Sequence, residues 1–318
     1  MTAPAEVDRA LLQRIEALAA ALALEAGGIV AEALEREVQV EYKAGPADAR
    51  RRSSKAPAPD RDPVSEVDRA VETLLRERIG AAFPDHVIVG EENENHPAAD
   101  AEYVWVVDPV DGTSNFVNGF PLFAVSIGVL RRGRPVAGAV WCATTHALGP
   151  GVYHAHEGGP LLLDGVPVTT ERATKVKRTL AAAPGGASAG TPLWDHRVTG
   201  SMAVEAAYVA AGVFAAAPFW GPKIWDVAAG VVLIRAAGRE VWLRTPAGWQ
   251  PLERFEAPDR LPRRRGQPRP EDDRTPSLRD WRGSLLVGTA AATSAMRERA
   301  RPPSIWASLR ARLRGRRR

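Results

Sequence analysis

The chain has 318 residues, 45% hydrophobic and 25% charged, with a net charge of +4; this is the composition of a soluble globular protein with room for one large domain or two ordinary ones. Its one cysteine, Cys142, cannot form an intramolecular disulfide, and the acid-bearing start and the lack of any eighteen-residue uncharged apolar window argue against a signal peptide and a membrane span, so a cytoplasmic protein is expected. The charge is uneven: residues 297–318 hold nine arginines and one glutamate, a side-chain charge of +8, which leaves the rest of the chain at −4.

In chain order, residues 5–37 place Leu11, Leu12, Ile15, Leu18, Leu22 and Ile29 at spacings that keep one face apolar, which predicts a helix. Residues 42–63 lose this periodicity, gain Gly, Pro and a basic run at 49–55, and read as a long mobile loop. A second helix is signalled after Ser65, a candidate N-cap, with Val67, Val71, Leu74, Leu75 and Ile79 on its apolar positions. Short β-rich runs follow at 86–90, 103–108, 123–141 and 151–159, the third with a hairpin turn in its middle, and they predict neighbouring antiparallel strands. Beyond about residue 160 the pattern alternates: a strand-like "TLAAA", a small-residue helix and strand across 198–218, a helix at 225–238, and a last strand and helix across 284–301. Such alternation predicts an α/β half packed beside the earlier α+β half. The basic runs lack interleaved aromatics and any nucleic-acid module, so solvated surface is the expected reading for them.

The acids fall where elements end. Glu91 and Glu92 close one strand in "VIVGEEN", Asp108 and Asp111 close another in "VVDPVDGT", and Asp226 opens a helix in "WDVAAG". Hard divalent cations such as Mg2+ take oxygen ligands from a few carboxylates, with water and phosphate completing the shell. Neighbouring strands lie about 4.8 Å apart, so acids at two strand ends can share one ion, and a turn at Pro109 can swing Asp111 back beside Asp108. Gly112 and Thr113 would then open a turn or helix whose free N–H groups suit a phosphate. Taken singly, each feature has a plainer alternative: a strand end with a tight turn for Asp108 and Asp111, a helix cap for Asp226, a solvated pair for Glu91 and Glu92, and an exposed helix acid for Asp68.

The blocks "GEE", "WVVDPVDGTSNFVNGFPLFAVSIGV", "GSMAVEAAYVAAG" and "WDVAAGVVLIRAAG", in that order across roughly residues 60–295, resemble the inositol monophosphatase family of Mg2+-dependent, lithium-sensitive phosphatases. The resemblance implies a layered αβαβα sandwich of the sugar-phosphatase type (α+β and α/β), with an antiparallel N-terminal sheet beside a mostly parallel C-terminal one. The halves expected are 1–157, with the metal site, and 158–296, with the substrate side, followed by an arginine-rich tail at 297–318. It implies that Glu91, Asp108 and the Val110 carbonyl hold one Mg2+, and that Asp108, Asp111 and Asp226 hold a second. Asp68 and Thr113 would position the attacking water, with Asp62 as a support. Gly112, Thr113 and Ser114 would offer N–H groups to phosphate, and Gly200, Ser201 and Ala203 would lie on the substrate side. The implied reaction is hydrolysis of a small phosphorylated substrate, inositol 1-phosphate first, with histidinol phosphate and fructose 1,6-bisphosphate behind it. A phosphate-binding protein without turnover is a further alternative. A homodimer is also implied.

The sequence departs from the family pattern in four places. Lys55 is the nearest counterpart of the usual loop lysine, Lys223 precedes the Trp-Asp pair, Arg239 replaces a usual glycine, and the Pro/Arg insertion at 257–282 and the tail have no equivalent. In the tail Ile305, Trp306, Leu309 and Leu313 lie about one helical turn apart among arginines, which suits either an anionic-surface contact or a solvated terminus.

Overall fold

The computed structural model describes residues 8–34, 40–42, 63–94, 96, 101–170, 179–182, 193–261 and 275–299. Lys55, Asp62 and the tail from residue 300 lie outside the described residues. Helix α1 spans Arg9–Ala33, and the Asp8 carboxylate caps it by accepting from the Ala10 N–H at 2.9 Å. Its apolar stripe, Leu12, Ile15, Ala19, Leu22, Ala26 and Val30, is buried. Helix α2 (Glu66–Ala82) buries Val67, Val71, Leu75 and Ile79 at four-residue steps, and it packs against α1.

Both helices cover one face of a seven-stranded sheet whose spatial order follows the chain: β3 (Val87–Gly90), β4 (Tyr103–Asp111), β5 (Ala124–Arg131), β6 (Arg134–Cys142), β7 (Gly151–His156), β8 (Leu162–Leu163) and β9 (Val166–Pro167). The β3–β4 pair is parallel and all the other pairs are antiparallel. Before this sheet, β1 (Val40–Tyr42) and β2 (Pro63–Ser65) form a separate antiparallel pair. Trp105, Phe123, Ile127 and Trp141 fill the core between the sheet and α1/α2. Cys142 is buried in β6, and burial pushes its thiol far up, so it is an inert packing residue.

The opposite face carries α4 (Met202–Ala210) and α5 (Ile224–Ala236), which share a second core with Val104, Val106, Tyr153 and Trp225. Helix α5 sits on bare backbone. A Cβ on Gly128 of β5 would lie 2.7 Å from the Ala229 nitrogen, and one on Gly138 of β6 would lie 2.8 Å from the Ala229 carbonyl oxygen. This close seat fixes the height of α5 on the sheet, and with it the place of Asp226 in the first helical turn.

Beyond α4 and α5 lies a four-stranded sheet of β12 (Ala216–Trp220), β13 (Glu240–Thr245), β14 (Gly248–Pro251) and β15 (Ser284–Gly288), with α6 (Ala290–Arg299) outside it. The layers are therefore αβαβα. The expected mostly parallel C-terminal sheet is corrected in one respect. Its spatial order is β12-β15-β13-β14 and every neighbouring pair is antiparallel. Strands β12 and β13, joined through α5, do run in the same direction, as a strand–helix–strand unit requires, but β15 returns from later in the chain and inserts between them. Parallel pairing in this half is found between β10 (Thr179–Ala182) and β11 (Trp194–Arg197). No helix among the described residues is long and apolar enough to cross a membrane.

Candidate metal centre

The centre is built on a defect in β4. Along the β4–β5 ladder Asp108 faces Ser126 and Asp111 faces Ala124, so three steps on β4 match two on β5. That extra residue is a bulge at Pro109–Val110. In an unbroken strand, residues three apart point to opposite faces; one inserted residue brings them to the same face. Pro109 tolerates the bulge because it has no N–H to lose from the ladder. Val110 turns back locally, its N–H donating to Asp108 Oδ1 at 3.1 Å. The hydrophobic run before the bulge buries the strand end, so Asp108 is 1% exposed and Asp111 9%.

Asp226 reaches the same point from α5. Its Oδ2 accepts from the Lys223 N–H at 2.7 Å, and the Ser126 hydroxyl ties α5 to β5 by donating to the Trp225 carbonyl at 3.1 Å. Asp226 is thus both the reciprocal cap of its helix and a member of the cluster: one ligand atom each from Asp108, Asp111 and Asp226 lie within 4.8 Å of one another. Three acids this close and this dry disfavour full ionisation. Burial first, then Glu91, Asp111, Asp226 and Asp68 nearby, push the Asp108 carboxyl well above its ordinary range. Burial pushes Asp111 up to about 7, although the Ser201 hydroxyl and the Ala203 N–H pull it down. Burial and then the Asp111 charge push Asp226 up to about 8.

The surroundings hold these acids in place. Asp111 Oδ2 accepts a hydrogen bond from the Ser201 hydroxyl and another from the Ala203 N–H at 2.7 Å. Ser201 and Ala203 are buried, and both are engaged by Asp111. Ser201 also caps α4, accepting from Val204 N–H at 3.2 Å. Gly200 has φ +82 and its missing Cβ leaves room for Asn115, whose amide would be 2.9 Å away. The Asn115 amide donates to the Leu122 carbonyl at 2.6 Å and the Thr199 carbonyl at 2.7 Å, clamping the loop before β5 to the segment before α4. Gly112 has φ +89, and a Cβ there would meet Ser201 Cβ at 3.1 Å and the Leu122 carbonyl at 3.2 Å.

From Gly112 the chain turns into the short helix α3 (Thr113–Val117). Asn115 and Phe116 N–H groups bond the Gly112 carbonyl, while those of Thr113 and Ser114 have no acceptor within the helix. Ser114 is at the solvent side of this turn. The Thr113 hydroxyl is 2.9 Å from the Val110 carbonyl and 3.4 Å from Asp68 Oδ1, so its proton serves one or the other. Asp68 itself is 1% exposed.

Glu91 is not within the tight three-acid group, yet its charge raises Asp108, Asp111 and Asp226 alike, which puts it at the edge of the same centre. Several positioning residues had no signal in the sequence. Glu72 of α2 is buried and accepts from the N–H groups of Glu92 at 2.7 Å and Asn93 at 3.0 Å; buried Glu205 takes the Thr199 hydroxyl at 2.8 Å, and burial pushes its pKa up to about 7. A cavity of about 590 Å³ lies at the other end of α5, lined by Arg134, His156, Arg235 and Arg239 among others, and none of the candidate acids borders it.

An acidic centre at a bulged strand end, inside an αβαβα sandwich, is a set of oxygen donors suited to a hard divalent cation. Residues 11–256 match the description "Inositol monophosphatase family", and the chain belongs to that family. The inositol-1-monophosphatase of Rhizobium meliloti is 34% identical over 247 residues, covering 68% of this chain and 86% of that protein. A fructose-1,6-bisphosphatase/inositol-1-monophosphatase of Aquifex aeolicus is 32% identical over 199 residues, covering 56% and 71%. The solved inositol monophosphatase of Anabaena superposes with a TM-score of 0.64 at 24% identity, over 91% of this chain and 95% of that one.

Proposed function

We propose that the protein is a Mg2+-dependent phosphomonoesterase acting on a small polyol or sugar phosphate, inositol 1-phosphate first. The observation that carries this is the trio Asp108, Asp111 and Asp226, the first two buried and the third half-buried, with ligand atoms within 4.8 Å of one another. The donor set fits a hard divalent cation: it is all carboxylate oxygen, with the Val110 carbonyl alongside, and it is too acidic and too dry to stay ionised without positive charge. We assign Glu91, Asp108 and the Val110 carbonyl to one ion, and Asp108, Asp111 and Asp226 to a second. When bound, such ions activate water and neutralise charge on the phosphoryl and leaving oxygens.

The chain's own residues supply the positioning. Thr113 has one hydroxyl proton, shared between Val110 and Asp68, which leaves its lone pairs to orient a water for in-line attack. Asp68 is the acceptor for a proton moving through that hydroxyl. The N–H groups of Gly112, Thr113 and Ser114 would serve a bound phosphate, and Ser201 and Ala203 occupy one Asp111 oxygen, which would leave the other for the cation. We also read the protein as a cytoplasmic homodimer, on family membership and the one buried cysteine.

Substrate choice is tested by phosphate release from inositol 1-phosphate, histidinol phosphate, fructose 1,6-bisphosphate and a nucleotide 3′-phosphate, each with and without Mg2+. The highest kcat/KM is expected for inositol 1-phosphate. A preference for fructose 1,6-bisphosphate would favour the dual activity named for the Aquifex relative. Release from none of them, with Mg2+ still bound, would point to a binding protein.

A further inference from the structure

The departure from the family pattern at 257–282 ends in a built structure. Residues Leu278–Asp280 form a 3-10 turn, closed by Ser277 N–H donating to Asp280 Oδ2 at 2.9 Å. The turn docks on the loop after β3, where His96 Nδ1 lies 3.0 Å from the Ser277 hydroxyl oxygen. From this turn the half-buried Arg279 donates to the Gly90 carbonyl and, through its other terminal nitrogen, to the Glu91 carbonyl at 2.9 Å. The same guanidinium lies over the Trp225 ring, 5.0 Å from its centroid. One side chain therefore joins the backbone of Glu91 to the residue preceding Asp226. A guanidinium suits this place because its planar fork can serve two carbonyls while its face stacks on an indole; a lysine ammonium can do one or the other. The 90–93 loop is also held by Glu72, so the strand end that carries Glu91 has a second side-chain anchor.

We propose that Arg279 is a positioning residue for the cation site, fixing the separation of Glu91 and Asp226 and so setting Mg2+ affinity without touching ion or substrate. This rests on the metal reading above. The sign of the effect separates it from plain electrostatics. A fixed positive charge beside an acidic centre repels a cation, so if Arg279 acted only as a charge its removal would tighten Mg2+ binding. If it positions ligands, removal weakens binding, by roughly 10–100-fold where a supporting contact to a ligand is lost.

The test is calorimetric Mg2+ titration of the full chain without substrate, for wild type, Arg279→Ala, Arg279→Lys and Asp108→Asn, with the Mg2+ half-saturation of phosphate release as a second readout. Arg279→Ala is expected to bind roughly 10–100-fold more weakly, with the loss appearing in Mg2+ half-saturation rather than in KM for the ester. Arg279→Lys keeps the charge and the stem, guards against a variant that does not fold, and is expected to recover only part of the affinity. Unchanged or tighter binding in either folded variant, while Asp108→Asn loses Mg2+, would overturn the positioning role. Wild-type binding by Asp108→Asn would overturn the metal reading beneath it.

Discussion

Mg2+ binding should release protons, and the structure says about how many. The pKa values of about 8 for Asp226 and about 7 for Asp111 both arise from burial among like charges. At pH 7 the first group is then about nine-tenths protonated and the second about half, so the pair surrenders between about one and two protons as the cation enters. Asp108, also raised, adds to the total in the same direction. The sign follows: protons compete with the cation, so affinity climbs as pH rises, with log K gaining about one to two per pH unit near neutrality and levelling off above about pH 9. Calorimetric titration in two buffers of different ionisation enthalpy, at pH 7, measures the release directly. Fewer than about 0.3 protons released, or an affinity flat between about pH 6.5 and 8.5, would refute the reasoning, because the acids would then already be ionised before the cation arrives.

Three further outcomes follow. In metal-free protein the raised pKa values of Asp111 and Asp226 lie above their unfolded values, so their protonated forms favour the fold at low pH and that contribution is lost as pH rises from about 4 through about 8; the Tm should fall over this range, and added Mg2+ should raise Tm more at pH 8 than at pH 6. Gly112→Ala places a side chain at φ +89 with contacts at 3.1 and 3.2 Å, and should cost about 1–2 kcal/mol in denaturant unfolding together with most of the activity. Glu16 of α1 lies between His154 and His156 of β7, pairing with His154 at 2.7 Å, and the chain buries it on the α1 side of the sheet, away from the acidic centre. Glu16→Ala should therefore lower stability by about 2 kcal/mol while leaving kcat unchanged, read from urea unfolding and phosphate release.

Much of this was legible along the chain because the information was local. The apolar stripe at 5–37 marks the helix found at Arg9–Ala33, and Asp-Gly-Thr after a hydrophobic run marks a strand end feeding a turn. Pro109 hints at a broken ladder, but the bulge that turns Asp108 and Asp111 to one side is visible only in the register against β5, which no spacing within β4 encodes. The same limit explains the C-terminal sheet: strand–helix–strand order sets the direction of β12 and β13 but cannot show that β15 comes between them. It also explains why Glu72, Asn115, Ser126 and Arg279 went unread, since each gains meaning from a partner brought close only by folding. Ser201 and Ala203 carried a motif signal, and their hydrogen bonds to Asp111 are a further contact that the motif does not spell out.

The most direct test of the central claim is phosphate release from inositol 1-phosphate by wild type and Asp108→Asn, each with Mg2+ and with chelator. Asp108 is the acid assigned to both cations, so turnover should require Mg2+ and fall by at least about a thousandfold in the variant while the fold, read by circular dichroism, is kept. Wild-type turnover that persists in chelator, or a variant within about tenfold of wild type, would contradict the account.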